Sequence, residues 1–225
     1  MTTIGGDVFT KTAWLEAKLK KTPLVVVNNI LIAAKKDIKG KINIPNGVTA
    51  IAGSVFSGCS SLTGVSIPSS VKKIETWAFS ECSNLTSVNI PKGIKEIEAW
   101  TFYKCDNLTN VTIPSSVKSI GNNAFFGCNS LTRMSIPSSV TTMGQSLFAS
   151  CSNLTSVGLS SRVTTLEPYT FANCTNLKIV SIPNSVKTID SLAFESSRPT
   201  IRCFANSAAH KFAQENGYKF SLVKK

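Results

Sequence analysis

The chain has 225 residues, 42% hydrophobic and only 16% charged, below the typical quarter, which excludes a charge-rich disordered segment. No apolar run reaches the ~18–20 residues of a membrane-spanning helix, and no signal peptide is read in the opening residues, which lack a basic stretch followed by an apolar one. The net charge of +12 is loaded at the ends: residues 1–45 carry eight Lys against three acids, residues 198–225 six Lys or Arg against one, and the 152 between ten bases against eight acids. A nucleic-acid binder gathers its cations into a stripe that follows phosphates, so this pattern predicts no nucleic-acid partner.

From the N-terminus, Ile4-Gly-Gly-Asp-Val-Phe9 matches the later block Ile51-Ala-Gly-Ser-Val-Phe56, so the chain opens partway through a repeating unit. A helix is expected over Thr12-Ala-Trp-Leu-Glu-Ala-Lys-Leu19. A hairpin is expected in Pro23-Leu-Val-Val-Val-Asn-Asn-Ile-Leu-Ile32, turning at Asn28-Asn29, because tight hairpin turns need positive φ and Asn tolerates it.

A strict period then takes over. Cys59, Cys82, Cys105, Cys128, Cys151 and Cys174 are each 23 residues apart, and Phe56, Phe79, Phe102, Phe125, Phe148, Phe171 and Phe194 keep the same step. So do Leu62, Leu85, Leu108, Leu131, Leu154 and Leu177. A fixed period with apolar residues at fixed offsets marks a solenoid whose coils stack. Within one coil, Leu62, Val65 and Ile67 form a short inward-facing strand that Pro68 ends, since Pro donates no ladder hydrogen bond. Pro recurs at 45, 68, 91, 114, 137 and 183, and Ser160 alone breaks the series. Val71 and Ile74 return to the core from a second extended segment, and the spacing of Ala78, Phe79 and Cys82 predicts one tight helical turn. At about 4.8 Å per coil, six to seven coils extend ~30 Å.

At the C-terminus, a strand is expected in Thr200-Ile-Arg-Cys203 and a helix from Ala208 to Glu215, with Ala209, Phe212 and Ala213 on its inner face. Asn206 or Ser207 caps its start, Gly217 ends it, and Tyr218, Phe220 and Leu222 alternate in a last strand. Such caps cover the exposed end of a solenoid core.

The motif Asn84-Leu-Thr-Ser-Val-Asn-Ile-Pro91, followed by Ile97 and the pair Phe102 and Cys105, recurs across residues 42–197 and resembles the BspA-like leucine-rich repeat family. The expected fold class is therefore α/β, a β-rich solenoid: a leucine-rich-repeat right-handed superhelix of about six to seven coils in one continuous domain. Residues 1–41 form an N-terminal partial coil, helix and hairpin cap, 42–197 the repeats, and 198–225 the C-terminal cap. The resemblance further implies a surface-exposed or secreted adhesin that binds host matrix proteins such as fibronectin or fibrinogen.

The chemistry-bearing residues are few. Structural zinc sites bring Cys in closely spaced pairs, and none occurs here, so no metal or other cofactor is expected. The six ladder Cys share the inward spacing of Phe and Leu, which makes them buried free thiols; neighbouring coils also hold them near disulfide range. Cys203, outside the ladder, is the thiol expected to be exposed. His210 is the only histidine. A Cys203–His210 nucleophile pair competes with a plain surface histidine on a small cap helix, and the surface reading is preferred. Glu75, Glu96 and Glu98 cluster, but beside Lys73 and Lys95 they read as ion pairs rather than a carboxylate site. Five N-x-[ST] sequons, beginning at Asn84, Asn107, Asn110, Asn153 and Asn173, keep step with the coils and reflect the repeat. No catalytic residues are assigned, and the chain is read as non-enzymatic.

Two surfaces remain. The strand face carries a column of Thr63, Thr86, Thr109, Thr132 and Thr155, then Lys178, with Arg133 near its middle. In the closing turn, the position two before Phe reads Ser54, Trp77, Trp100, Asn123, Ser146, Tyr169 and Leu192 and is expected to face outward. Tyr103 and Phe126 lie one turn away, and Lys72, Lys95 and Lys118 form a basic ladder in the same coils. Aromatics beside cations are enriched at interfaces. The candidate partner-binding residues are therefore Trp77, Trp100, Tyr103, Phe126, Lys72, Lys95, Lys118 and Arg133. The competing readings are rings that merely seal the turn, a structural spacer within a larger protein, and a polyanion binder using its basic ends. A protein partner, no membrane insertion and a monomeric state are expected.

Overall fold

In the computed structural model the described residues are 12–223, and the expected partial repeat at Ile4–Phe9 lies outside them. Each coil contributes two short strands to two parallel ladders. The longer-strand ladder runs Gly40–Asn43, Leu62–Ser66, Ser87–Asn89, Asn110–Thr112, Arg133–Ser135, Ser156–Gly158, Ile179–Ser181 and Thr200–Cys203. The second runs Ile30–Ala34, Ala50–Ile51, Lys73–Ile74, Glu96–Ile97, Ser119–Ile120, Thr142–Met143, Thr165–Leu166 and Thr188–Ile189. That makes about eight coils rather than six to seven. The additional rungs come from the end coils, which pair in register although their sequences lack the full motif: Ile42 pairs with Val65, and Val180 with Ile201. Inward pointing, not motif identity, is what a rung requires.

The ladders are not continuous. Strand pairing breaks between Asn110–Thr112 and Arg133–Ser135 in one, and on both sides of the segment from Glu96–Ile97 to Thr142–Met143 in the other. These breaks are staggered along the axis and bridged by the turn column. Across the first break, for example, Phe125 N–H donates to Leu147 O at 3.1 Å and Gly127 N–H to Ala149 O at 2.9 Å.

The closing segment is not the expected helical turn. Trp77 and Glu81 adopt left-handed backbone, with φ of 64° and 58°, and every second N–H leaves the coil. The N–H groups of Trp77, Phe79 and Glu81 donate to Ala99, Thr101 and Tyr103 of the next coil at 3.3, 3.0 and 2.6 Å. Those of Ala78, Ser80 and Cys82 close local turns onto the carbonyls three residues back, Glu75, Trp77 and Phe79. A helix would use all of these donors internally. Stacking offers them partners in the next coil, so the chain folds into successive tight turns, with Ala78 and Phe79 both inward.

This geometry builds the core. Seven Phe rings stack from Phe56 to Phe194 with centroids 5.1–5.7 Å apart and planes within 14°. All seven are fully buried. Ser160, at the position Pro holds elsewhere, is buried and satisfied: its hydroxyl donates to Val140 O at 2.6 Å and accepts from Arg162 N–H at 3.2 Å.

Both ends are closed as expected. Helix α1 (Ala13–Lys21) is capped by Thr12, whose hydroxyl accepts from Leu15 N–H at 3.3 Å. The hairpin of Leu24–Val27 and Ile30–Ala34 turns through Asn28 and Asn29 at φ 47° and 62°. Its second strand then pairs in parallel with Ala50–Ile51, covering the first full coil. At the other end, helix α2 (Ala208–Glu215) is capped by Ser207 and seats Phe212 with Tyr218 against Phe194, at 6.1 and 5.7 Å between ring centroids. The last strand, Phe220–Leu222, pairs with Thr200–Cys203, but Phe220 and Leu222 stand exposed rather than alternating into the core.

Candidate functional site

The thiols come first, as the residue type with the most chemistry. All seven are free and buried. Cys203 is fully buried too, contrary to expectation, because it is an inward position of Thr200–Cys203, beneath the C-terminal cap. The ladder Cys are more than apolar filler. The S–H of Cys82, Cys105, Cys128, Cys151 and Cys174 each donates to a Phe carbonyl of the preceding coil at 3.0–3.2 Å. Ser197 is the seventh member of this column: its hydroxyl donates to Phe171 O at 2.7 Å and accepts from Cys174 N–H at 2.9 Å. Stepping 23 residues on from Cys174 would have revealed it.

Loss of hydration pushes the Cys82 and Cys174 thiols up to about 12, and those of Cys105, Cys128 and Cys151 well above the ordinary range. The thiolate is the nucleophile and the metal ligand, and burial suppresses it. Ellman's reagent at pH 8 is therefore expected to label fewer than one thiol per native chain within minutes, and all seven after denaturation. Rapid native labelling of two or more would contradict this packing.

His210 does not meet Cys203. Its Nδ1 accepts from Asn206 N–H at 3.1 Å, and its ring packs edge-on against Phe220 at 4.6 Å. Among the acids, Glu75 pairs with Lys73 at 3.2 Å and accepts from Gly53 N–H at 3.1 Å. The expected pairing of Lys95 is absent; Lys73–Glu75 is the only ion pair among the described residues. Burial, then the neighbouring Glu96 carboxylate, raises the Glu98 pKa.

The aromatic residues do come together. Trp77 and Trp100 stack with centroids 4.6 Å apart and planes 5° from parallel. Tyr103 meets Trp77 and Trp100 edge-on at 5.9 and 4.9 Å, and stacks on Phe126 at 5.1 Å. All four are half-buried, an outcome between the sealed and fully outward expectations: one face of each indole covers the other while part of each ring stays in contact with solvent. The reason is the left-handed backbone at Trp77 (φ 64°) and Trp100 (φ 59°), which tips both side chains onto the turn ridge. Farther along the same column Tyr169 and Leu192 are 38% and 40% exposed.

The basic ladder does not complete this cluster. Lys72, Lys95 and Lys118 are exposed, and Lys72 turns away across Gly93, donating to Ser69 O at 2.7 Å. A Cβ at Gly93 would lie 2.5 Å from the Lys72 side chain, so the glycine makes room for it. The cation at the ridge is Lys104, whose Nζ sits 5.3 Å from the Tyr103 ring centroid. Its place directly after Tyr103 was the available signal. Arg133 belongs elsewhere, exposed on the longer-strand ladder.

The profile of the BspA type leucine-rich repeat region matches residues 34–119 and 95–219, with six copies. Among solved structures, a leucine-rich repeat protein from Bacteroides ovatus is 29% identical, with a TM-score of 0.70 over 80% of this chain and 53% of its own. This chain thus spans about half of that protein. The T. pallidum leucine-rich repeat protein is 26% identical, with a TM-score of 0.66 over 90% of this chain and 96% of its own. The pneumococcal vaccine antigen PcpA, at 16% identity and a TM-score of 0.60 over 84% of this chain and 56% of its own, shares the fold. No curated protein matches the chain. Matching in profile over most of its length and in structure to leucine-rich repeat solenoids, the chain belongs to the BspA-type leucine-rich repeat family.

Proposed function

We propose that this protein is a non-enzymatic binding scaffold that engages a protein partner through the ridge formed by Trp77, Trp100, Tyr103, Phe126 and Lys104. The observation that carries this reading is two indoles held in left-handed backbone on neighbouring coils. For a residue with a Cβ that conformation costs on the order of 1–2 kcal/mol. The column is left-handed in other coils too, where it holds Ser54, Asn123, Ser146 and Tyr169, and of these types Asn enters the region most readily. Strain kept where the fold has a cheaper solution points to use of the side chain. Among the described residues no helix is long and apolar enough to cross a membrane.

Action as a surface-displayed or secreted adhesin, with fibronectin or fibrinogen as partner class, rests on the family resemblance. The test is binding to immobilised fibronectin, fibrinogen and laminin, comparing the native chain with a Trp77→Ser/Trp100→Asn double variant that borrows the residues of equivalent coils. Losing the indole stack costs about 0.5–1.5 kcal/mol, and Ser and Asn already occupy this left-handed position in equivalent coils, so stability is expected to shift by no more than about 1–2 kcal/mol. Affinity is expected to fall at least tenfold, the scale of an interface hot spot. Unchanged affinity, or no binding to any protein surface, would favour the spacer reading.

A further inference from the structure

The longer-strand face has a different character from the aromatic ridge. One outward column reads Lys41, Gly64, Ser87 and Asn110 in register through the first sheet, and Arg133, Ser156, Ile179 and Thr200 through the next. On one side lies the Thr column ending in Lys178. On the other lie Asn43, Ser66, Asn89, Thr112, Ser135, Gly158, Ser181 and Arg202. These three columns contain four cations and no Asp or Glu. Lys41, Arg133, Lys178 and Arg202 are all exposed, and none takes part in an ion pair. Glu75, Glu96 and Glu98 belong instead to the second strand segment and the start of the turn. Charge is thus sorted around the coil, which the whole-chain total conceals.

The polar groups between the cations are already oriented. The hydroxyls of Thr86, Thr109 and Thr155 donate to the carbonyl of the preceding Thr at 3.1, 3.1 and 2.7 Å, leaving their lone pairs free to accept. Asn176 is fixed by donation to Ser152 O at 2.8 Å. A shallow groove of about 580 Å³ runs over Thr132, Asn153, Thr155, Asn176 and Lys178.

We propose that this strand face binds a linear sulfated glycan lying along the solenoid axis, with Arg133, Lys178 and Arg202 holding its sulfates and the Thr and Asn columns bonding its hydroxyls. Guanidinium forks bind tetrahedral oxyanions through paired hydrogen bonds. Arg133 and Arg202 are three rungs apart, about 14 Å along the axis at the usual strand spacing, and one outward column apart, about 7 Å across the face. The three columns carry no aromatic residue. That disfavours a protein partner, whose interface core needs apolar anchors, and single-stranded nucleic acid, whose bases need rings to stack on. An uncharged hydrogen-bonding surface with sparse, unpaired cations matches a polymer that is itself hydroxyl-rich and intermittently anionic.

Heparin is the probe, because any basic protein binds it weakly and the location of binding is what must be read. The face variant Arg133→Ser/Lys178→Thr/Arg202→Ser copies residues from equivalent rungs and should retain the native melting temperature within a few degrees. The end variant Lys20→Ser/Lys21→Ser/Lys211→Ser removes the same charge from the caps. At about 0.15 M salt the face variant is expected to bind heparin at least tenfold more weakly, and the end variant less than threefold. The salt dependence should flatten for the face variant alone, since each lost contact releases fewer counterions. If the triple variant melts early, Arg133→Ser alone should still weaken binding about threefold. Equal losses in both variants, no heparin binding by the native chain, or duplex DNA or polyglutamate bound as tightly as heparin would each overturn the assignment. The aromatic variant described above should bind heparin normally, which separates this proposal from the protein-binding one.

Discussion

The protein is expected to unfold cooperatively as the pH is raised from about 9 towards 11, well before the buried thiols reach their own folded-state pKa values. An unfolded Cys ionises near pH 8.5, whereas burial pushes Cys82 and Cys174 up to about 12 and holds Cys105, Cys128 and Cys151 well above the ordinary range. The folded chain therefore keeps protons that the unfolded chain releases. The stability contribution is fully present below pH 8.5 and is lost as the pH climbs towards the folded values. By linkage each such thiol lowers stability by about 2 kcal/mol at pH 10, growing by about 1.4 kcal/mol per further unit. Five of them together reach about 10 kcal/mol, comparable with the whole stability of an ordinary domain. Urea titrations followed by circular dichroism between pH 7 and 11 check this. The ladder is isolated from Lys and Tyr titration by Cys128→Ser, which mimics Ser197 and should recover about 2 kcal/mol of the loss at pH 10. A stability that stays level from pH 8 to 10.5 would refute it.

Phe125→Ala is the substitution with the largest expected effect on stability at neutral pH. Phe125 is the middle ring of the stack, fully buried between Phe102 at 5.5 Å and Phe148 at 5.7 Å. Truncating a buried Phe costs about 3–5 kcal/mol through lost transfer energy and the cavity left behind, and two ring contacts are lost with it. A solenoid holds together through nearest-neighbour interfaces, so a central cavity should also uncouple the halves. Denaturation is expected to broaden, with a lower urea dependence, or to divide into two transitions. Phe125→Leu, which refills most of the volume, should restore a single transition at a smaller loss. A change below about 1 kcal/mol with unaltered cooperativity would mean the ring ladder is not what couples the coils.

Both expectations come from columns legible in the sequence, because a stacked coil puts each period-locked residue into the same surroundings again and again. Burial of Phe79, Cys82, Leu85 and Val88 follows from spacing alone, and so do the Asn28-Asn29 turn and the cap helix from Ala208 to Glu215. Spacing could not supply the direction of the backbone donors. The N–H groups of Trp77, Phe79 and Glu81 have partners only when another coil is stacked beyond them, so a segment that looks helical in isolation becomes alternating turns in the solenoid. From that tertiary choice follow the left-handed backbone of Trp77 and Trp100, their mutual stacking and their half-burial.

The remaining differences share that cause. Cys203 is buried because a cap closes over its rung, Lys72 leaves the ridge because Gly93 in the next coil gives its stem a path, and Lys104 comes over the Tyr103 ring because the turn is tight. The sequence by itself determined the period, the inward residues, the caps and the family. Tertiary structure decided which donors leave the coil, which outward columns fall together, and hence the separation of an aromatic ridge from a cationic strand face. Inward positions are selected by hydrophobic burial, which a one-dimensional pattern records. Outward positions acquire neighbours only from coil register and backbone direction, which exist once the coils have stacked.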